Sequence, residues 1–402
     1  MSLTRPERMN AAAVRVRNLG VVLSYLDDVG EAARTEIAAA TGLVRGAVTL
    51  LTAELGDAGL VRPADAGARP RGAGRPLERL EVDGSDRAVL VTQLVVDELR
   101  ILASDLAGRD LLRRAERVRL PHGDAAAVAD LVAGTLTAEV DALAVRGIRT
   151  VATSIVVPAP VISAGGVVPV AVDLGWRDVD FRALVHERLP QRVPRPEIAN
   201  DADCAAMAEF ASLRSGPGAL AIDDMVYLKS DTGIGGGAMI AGELLLGRDG
   251  MAFEPGHMVV VPAGERCQCG QRGCLVTVAD PERVLATAGL AAYREQNGIP
   301  EAEAELLRRD GAGDERAARA VTELVGWLVH TVGVVDIMLR PQAFVLGGYL
   351  APLAARVAAQ RGDADGAQIL AGVHGDFAGS DGASYSLRRA LLRNPASLMT
   401  AG

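Results

Sequence analysis

Apolar residues return at helical spacing from Val14 to Leu26 (Val14, Leu19, Val22, Leu23 and Leu26), which predicts one amphipathic helix. A turn at Asp27–Gly30 ends it. A short helix follows from Thr35 to Ala40, Thr41-Gly42 breaks the chain, and a third helix runs from Arg45 to Leu55 with Val48, Leu51 and Leu55 on one face. Helix, tight glycine turn, helix is the helix-turn-helix pattern. Gly59-Leu60-Val61 then opens an extended segment, with Leu80-Glu81-Val82 as its return strand, so the pair makes a wing.

From Arg87 the pattern changes to strands alternating with helices. Ala88–Leu94 and Leu99–Ser104 read as paired strands, and Ala125–Val145 as a helix. Val151–Val157 is an apolar strand and Asp203–Leu213 a helix opened by Asn200-Asp201. Met225–Lys229 is a strand running into Asp231-Thr-Gly-Ile-Gly235, with a short strand at Ala238–Ala241. Glu315–Met338 is a long helix, and Phe344–Leu346 a strand ending in Gly347-Gly348. Strand–glycine–helix succession signals an α/β fold. No short-period repeat is visible. The longest uncharged run, Thr150 to Val172, has the length of a membrane span, but its prolines and glycines favour strand–turn–strand. Met1–Asn10 has no apolar stretch of a secretory leader, so a cytoplasmic protein without membrane association is expected.

Composition matters once it is divided by region. The 402 residues carry a net charge of −9. Residues 1–80 hold 11 Arg against 9 Asp+Glu, a net of +2, and the remainder holds −11. The basic surplus lies between the wing strands, in Arg69-Pro-Arg-Gly-Ala-Gly-Arg-Pro76, a loop suited to a narrow minor groove. On the third helix Arg45, Gly46, Thr49 and Thr52 are the expected outward residues, a thin set of donors for base edges. Val44 stands where a capping Ser or Asp is usual, so a three-helix interaction module is the alternative to a DNA reader. The chain has a single lysine, Lys229, so nearly all its possible phosphate contacts come from arginine.

Two clusters carry chemistry. His257 with Cys267, Cys269 and Cys274 offers one imidazole and three thiolates, a closed tetrahedral set for structural Zn2+. A Cys-x-Cys pair is too close for easy disulfide geometry, and unrelated thiols beside a surface histidine are the alternative. The second cluster is Asn200-Asp201 with Glu254 and His257. A carboxylate at a helix start can accept a hydroxyl proton, or the dipeptide can simply cap the helix.

Together these pieces resemble the ROK family of repressors, open reading frames and kinases, in its transcriptional-repressor branch. The resemblance runs from about Asn18 to Leu350. It rests most on Glu254-Pro-Gly-His257 followed by Cys267-Gln-Cys-Gly-Gln-Arg-Gly-Cys-Leu275, similar to the family's ExGH and CxCGxxGCLE signature. Ile198-Ala-Asn-Asp-Ala-Asp-Cys-Ala-Ala206 resembles its sugar-binding and catalytic-base stretch. Arg34-Thr-Glu-Ile-Ala-Ala-Ala-Thr-Gly-Leu43 and Gly74-Arg-Pro76 resemble its DNA-binding module.

The resemblance implies an actin/hexokinase-like two-lobed α/β domain behind a winged helix-turn-helix. The expected divisions are 1–84 for DNA binding, 85–199 for the first lobe and 200–402 for the second lobe with the zinc motif. It implies sugar or sugar-phosphate ligands near Asn200, Asp201, Glu254 and His257, double-stranded DNA at Arg34, Arg45, Thr49, Arg71 and Arg75, and homodimers or homotetramers. In the kinase branch the residue matching Asp201 is the base.

Departures decide between branches. Gln93 and Val95 stand where kinases of this fold carry the Asp and Gly of their phosphate loop. A glutamine supplies no carboxylate beside a metal, and a valine obstructs close backbone approach. Pro158-Ala-Pro-Val161 and Val276 depart from the sugar-side pattern. The expectation is a DNA-binding regulator with a catalytically inactive, effector-sensing kinase-like domain and Asp201 as a vestigial base. The alternative is an ATP-dependent sugar kinase of glucokinase or N-acetylhexosamine kinase type.

Overall fold

The computed structural model describes residues 11–64, 78–162, 165–215, 218–231, 233–362 and 366–399. Its first part holds α1 (Ala11–Val29), β1 (Glu31–Ala33), α2 (Arg34–Thr41), α3 (Arg45–Asp57), β2 (Val61–Pro63) and β3 (Arg79–Val82). The axes of α2 and α3 turn by 117° across Gly42, which sits at φ +72°, a helix-turn-helix geometry. The two expected wing strands pair antiparallel, and β1, which the pattern did not indicate, adds to the far side of β3. Leu19, Leu23, Ile37, Val48 and Leu55 close the small core.

The rest is a duplicated architecture. The first lobe contains β4 (Arg87–Val95), β5 (Glu98–Asp105), β6 (Asp110–Arg117), α4 (Ala125–Val145), β7 (Arg149–Val157), β8 (Val167–Ala171), β9 (Trp176–Asp180), α5 (Phe181–His186) and β10 (Glu197–Asn200). After α6 (Asp201–Arg214), the second lobe contains β11 (Met225–Ser230), β12 (Ile234–Ile240) and β13 (Glu243–Leu244). Four helices follow, α7 (Val276–Ala279), α8 (Pro281–Thr287), α9 (Ala291–Asn297) and α10 (Ile299–Gly311). Then come α11 (Glu315–Leu339), β14 (Ala343–Gly348), α12 (Ala354–Arg361), β15 (Gln368–Ala371), α13 (Ala378–Arg393) and α14 (Ala396–Met399).

Each lobe has a five-stranded sheet, ordered β10-β7-β4-β5-β6 in one and β13-β12-β11-β14-β15 in the other. Counted within each lobe, both read 3-2-1-4-5 from the antiparallel edge. Both have strands 1 to 3 antiparallel and strands 4 and 5 parallel to strand 1. This is the actin/hexokinase-like fold that the resemblance implied. α11 is long and apolar enough to cross a bilayer, yet Leu324, Leu328 and Val332 on its inner face pack into the second lobe's core.

The helices between the lobes are exchanged. α6 packs on β11 and β12, whereas α13 packs back on β4, β5 and β7 of the first sheet and lies along α6. His374 joins the pair, its ring contacting Ser212 of α6 and Asp381 of α13, each at 2.7 Å. Further along, α13 meets α1. Gly20 approaches the Arg393 carbonyl so closely that a Cβ there would lie 2.0 Å from the oxygen. Buried Arg388 pairs with Asp27 and donates to the Leu106 carbonyl at 3.1 Å. Arg389 pairs with Asp28. Buried Arg87 adds a second tie, donating to the Ala58 and Gly59 carbonyls at the end of α3.

Candidate functional site

The site forms where the start of α6 meets β11. Asn200 caps the helix: its Oδ1 accepts the Asp203 N–H at 2.9 Å, and its Nδ2 donates to the Ala159 carbonyl at 2.8 Å. The capping alternative raised for this dipeptide is thus realised by Asn200. It leaves Asp201, first residue of α6 and buried, to face β11.

There Asp201 meets the chain's only lysine. Lys229 Nζ donates to Asp201 Oδ2 at 2.5 Å and to Asp231 Oδ2 at 2.5 Å. Burial alone would depress the amine, but the fields of Asp201 and Asp231 outweigh it and hold the ammonium charged well above its ordinary range. Burial opposes ionisation of Asp231, and Lys229 reverses the balance, keeping that carboxyl below its usual value. Two further acids share this field. Asp203 is pushed up to about 8, by burial first and then by the charges of Glu254 and Asp201. Glu254 is pushed up to about 7 by burial and by Asp201. Asp203, Lys229 and Asp231 join Asp201 and Glu254 in this polar cluster, whose expected members were Asn200, Asp201, Glu254 and His257.

The cleft side of β4 carries Gln93. Its Oε1 accepts the Ser380 hydroxyl of α13 at 2.8 Å, and its amide lies against Gly379. Arg100 of β5 donates to the Asp376 carbonyl in the turn before α13. Gln93, Lys229, Asp231, Gly348, Asp376 and Gly379 line a small cavity of about 10 Å³. That is room for about one water.

Glu254 leads into a turn of 3-10 helix, Pro255–His257, which positions the candidate metal centre. His257, Cys267, Cys269 and Cys274 place one ligand atom each within 4.8 Å of one another. Cys267 Sγ lies 3.5 Å from His257 Nδ1, and Cys269 Sγ 3.6 Å from Cys274 Sγ. A tetrahedral ion with bonds of about 2.0–2.3 Å sets its ligand atoms roughly 3.5–3.8 Å apart, so the donor set fits. The fold of the loop explains the spacing. Val260 and Val261 N–H groups both donate to the Gly273 carbonyl, and a Cβ on Gly273, at φ +74°, would lie 1.6 Å from the Val261 oxygen. Only glycine permits that crossing.

The candidate nucleic-acid face differs from expectation. Thr52 is buried rather than outward, because it falls on the Val48–Leu55 stripe, and its hydroxyl accepts from Arg34 Nε at 3.0 Å. Arg34 also pairs with Glu78 at 2.6 Å. Thr49 is exposed with its hydroxyl donating back to the Arg45 carbonyl. Arg45 is exposed at the start of α3. Arg71 and Arg75 lie outside the described residues. Leu50, which the sequence reading missed, is exposed beside Thr49.

The profile of the ROK family matches residues 109–388. A glucokinase of Halalkalibacterium halodurans is 32% identical over 190 residues, 44% of this chain and 55% of that protein. An N-acetylmannosamine kinase of Escherichia fergusonii is 33% identical over 162 residues, 40% of this chain and 52% of that protein. The chain therefore spans about half the length of these curated relatives. Among solved structures, a ROK family transcriptional regulator described as a homologue of the E. coli MLC protein superposes with a TM-score of 0.74. That match is at 22% identity and covers 96% of this chain and 98% of that one. A ROK glucokinase from Streptomyces griseus, in complex with glucose and AMPPNP, gives 0.60 at 25% identity, covering 74% of this chain and 98% of its own. The profile match takes in most of both lobes, and the chain belongs to the ROK family.

Proposed function

We propose that this protein is a cytoplasmic DNA-binding transcriptional regulator whose kinase-like cleft senses a ligand without transferring phosphate. One observation carries the reading. α13 reaches from the cleft, where Ser380 holds Gln93, to the helix-turn-helix, where Arg388 holds Asp27. A ligand that moves the cleft end of α13 has a direct route to the DNA-binding end. The whole-chain likeness to a ROK regulator supports this fold for sensor and reader together.

Arg45 and Thr49 would meet the major groove, and Arg71 and Arg75 of the wing loop the minor groove. Arg34 would act near the backbone with the part of its guanidinium not held by Glu78. Val44 offers no side-chain acceptor at the start of α3, which leaves first-turn N–H groups for a phosphate. A homodimer or homotetramer would bring two readers to one duplex.

In the cleft, Asn200, Asp201, Glu254 and His257 would face a sugar or sugar phosphate. Catalysis is opposed on two counts. Asp201 is engaged by Lys229 rather than free to take a hydroxyl proton, and Gln93 offers no carboxylate to a nucleotide-bound metal. Zn2+ is the ion that suits one imidazole and three thiolates. Bound there, it would brace the loop carrying Glu254, and four protein ligands leave it no open position for hydrolysis.

The second reading, an active sugar kinase, is favoured by the retained Asp201 at the start of α6 and by the similarity to glucokinase and N-acetylmannosamine kinase. An ADP-release assay across hexoses and N-acetylhexosamines separates the two. The regulator reading expects no turnover, whereas turnover abolished by Asp201→Asn establishes the kinase. A thermal-shift panel of the same sugars expects one class to stabilise the protein by mass action.

A further inference from the structure

We infer that α3 recognises its duplex chiefly through the 5-methyl groups of thymine rather than through hydrogen bonds to base edges. This inference rests on the DNA-binding reading and adds the chemistry of recognition to it.

Val44, just before α3, and Arg45, Gly46, Thr49, Leu50 and Ala53 are exposed, as are Gly56 and Asp57 at the far end of the helix. Val44 is 73% and Leu50 69% exposed, large apolar side chains standing in water on a helix of a small domain. Apart from Arg45, the donors that would serve hydrogen-bonded readout are committed elsewhere. The Thr52 hydroxyl accepts from Arg34 and donates to the Thr49 carbonyl. The Thr49 hydroxyl donates to the Arg45 carbonyl, and the Arg34 guanidinium is shared between Thr52 and Glu78. Glu54, on the flank, pairs with Arg15.

Arg45 is therefore the one exposed charged side chain in the N-terminal part of α3, beside the apolar Leu50 and Ala53. In a helix-turn-helix the second helix enters the major groove with its N-terminal residues against base edges. The apolar feature of that groove is the thymine methyl, and apolar side chains are its partners. Val44 lies one residue before α3, and Leu50 is six residues further on. The helix rise of about 1.5 Å per residue separates them by roughly 9 Å along the axis, within reach of separate base pairs. The single arginine leaves room for one guanine contact between them.

The test begins with selection from a random duplex library by the full-length protein. The enriched duplex is then remade with deoxyuridine in place of thymidine, which removes only the 5-methyl groups. The expected result is a loss of about fourfold in affinity for each contacted methyl, equivalent to about 0.8 kcal/mol. Leu50→Ala, an exposed change that leaves the core intact, should weaken the thymine duplex. It should also abolish the thymine–uracil difference at one position. Sequence-specific binding that is equally tight with uracil, or a Leu50→Ala protein that keeps the full difference, overturns this inference while leaving the DNA-binding reading in place. Failure to enrich any duplex overturns both.

Discussion

Lys229 and Asp201 face each other at 2.5 Å, both nearly buried, so the chain's one lysine neutralises the carboxylate proposed to be a vestigial base. Asp231 closes the other side of the ammonium at 2.5 Å. Removing the lysine leaves two acids in a cluster that already holds Asp203 and Glu254. We expect Lys229→Met to destabilise the protein by about 3–5 kcal/mol, the cost of breaking a buried pair. Lys229→Met combined with Asp201→Asn should recover a large part of that loss. Chemical denaturation of the single and double variants checks this, and additive losses would contradict a shared ion pair.

Asp27 lies at the junction between α1 and α13. Its carboxylate meets Arg388, and Arg389 reaches both Asp27 and Asp28. Asp27→Ala leaves Arg388 buried with only the Leu106 carbonyl to satisfy it. Amide hydrogen exchange should rise in α1 and at the C-terminal end of α13. Protection in β11 and β14, in the far lobe, should remain unchanged. Uniform loss of protection in both regions would mean that Asp27 supports the whole fold rather than this junction.

Metal analysis of the purified protein should find one zinc per chain. Cys274→Ser, at a fully buried ligand, should eliminate it and lower the melting temperature. The exposed Cys269 is the first thiol expected to react with a thiol reagent once a chelator has removed the ion. Thiol reactivity unchanged by chelation would contradict a bound metal.

Glu303 of α10 makes stability depend on pH. One of its carboxyl oxygens is buried without a hydrogen-bond partner among the described residues. Its pKa is pushed up to about 9, by burial and then by the charges of Asp231 and Asp376. Between the ordinary carboxyl value of about 4.3 and about 9, the folded protein keeps this proton and the unfolded chain releases it. Stability from this group is therefore complete at low pH and falls as pH rises through that window, by up to about 1.4 kcal/mol per unit. Glu303→Gln should flatten the fall in stability between pH 5 and 9. An unchanged profile would show that Glu303 ionises normally in the fold.

Much of this was legible in the residues themselves. The helix over Ala125–Val145 coincides with α4, and the strands at Met225 and Phe344 lie within β11 and β14. Those segments have strong apolar periodicity or solid apolar runs. β6 did not announce itself because Arg113, Arg114, Glu116 and Arg117 make it a charged edge strand with no apolar alternation. The duplication of the lobes was invisible because it resides in strand order and not in shared residues.

The candidate metal cluster could be read from its cysteine spacing, since three thiols within eight residues constrain one another. The clamp on Asp201 could not. Lys229 was conspicuous only as the single lysine, and its partners come from a helix start 28 residues earlier and a turn two residues later. Thr52 departs from its expected outward position because a polar residue on a short helix looks solvent-facing until the helix phase is fixed by its packing.

The measurement that bears most directly on the central claim is fluorescence anisotropy of the selected duplex against a scrambled duplex of equal length, at physiological salt. The account predicts preference for the selected sequence by a factor of at least about 10³, with affinity falling steeply as salt rises. Equal affinity for the two duplexes, or no binding to either, would contradict it.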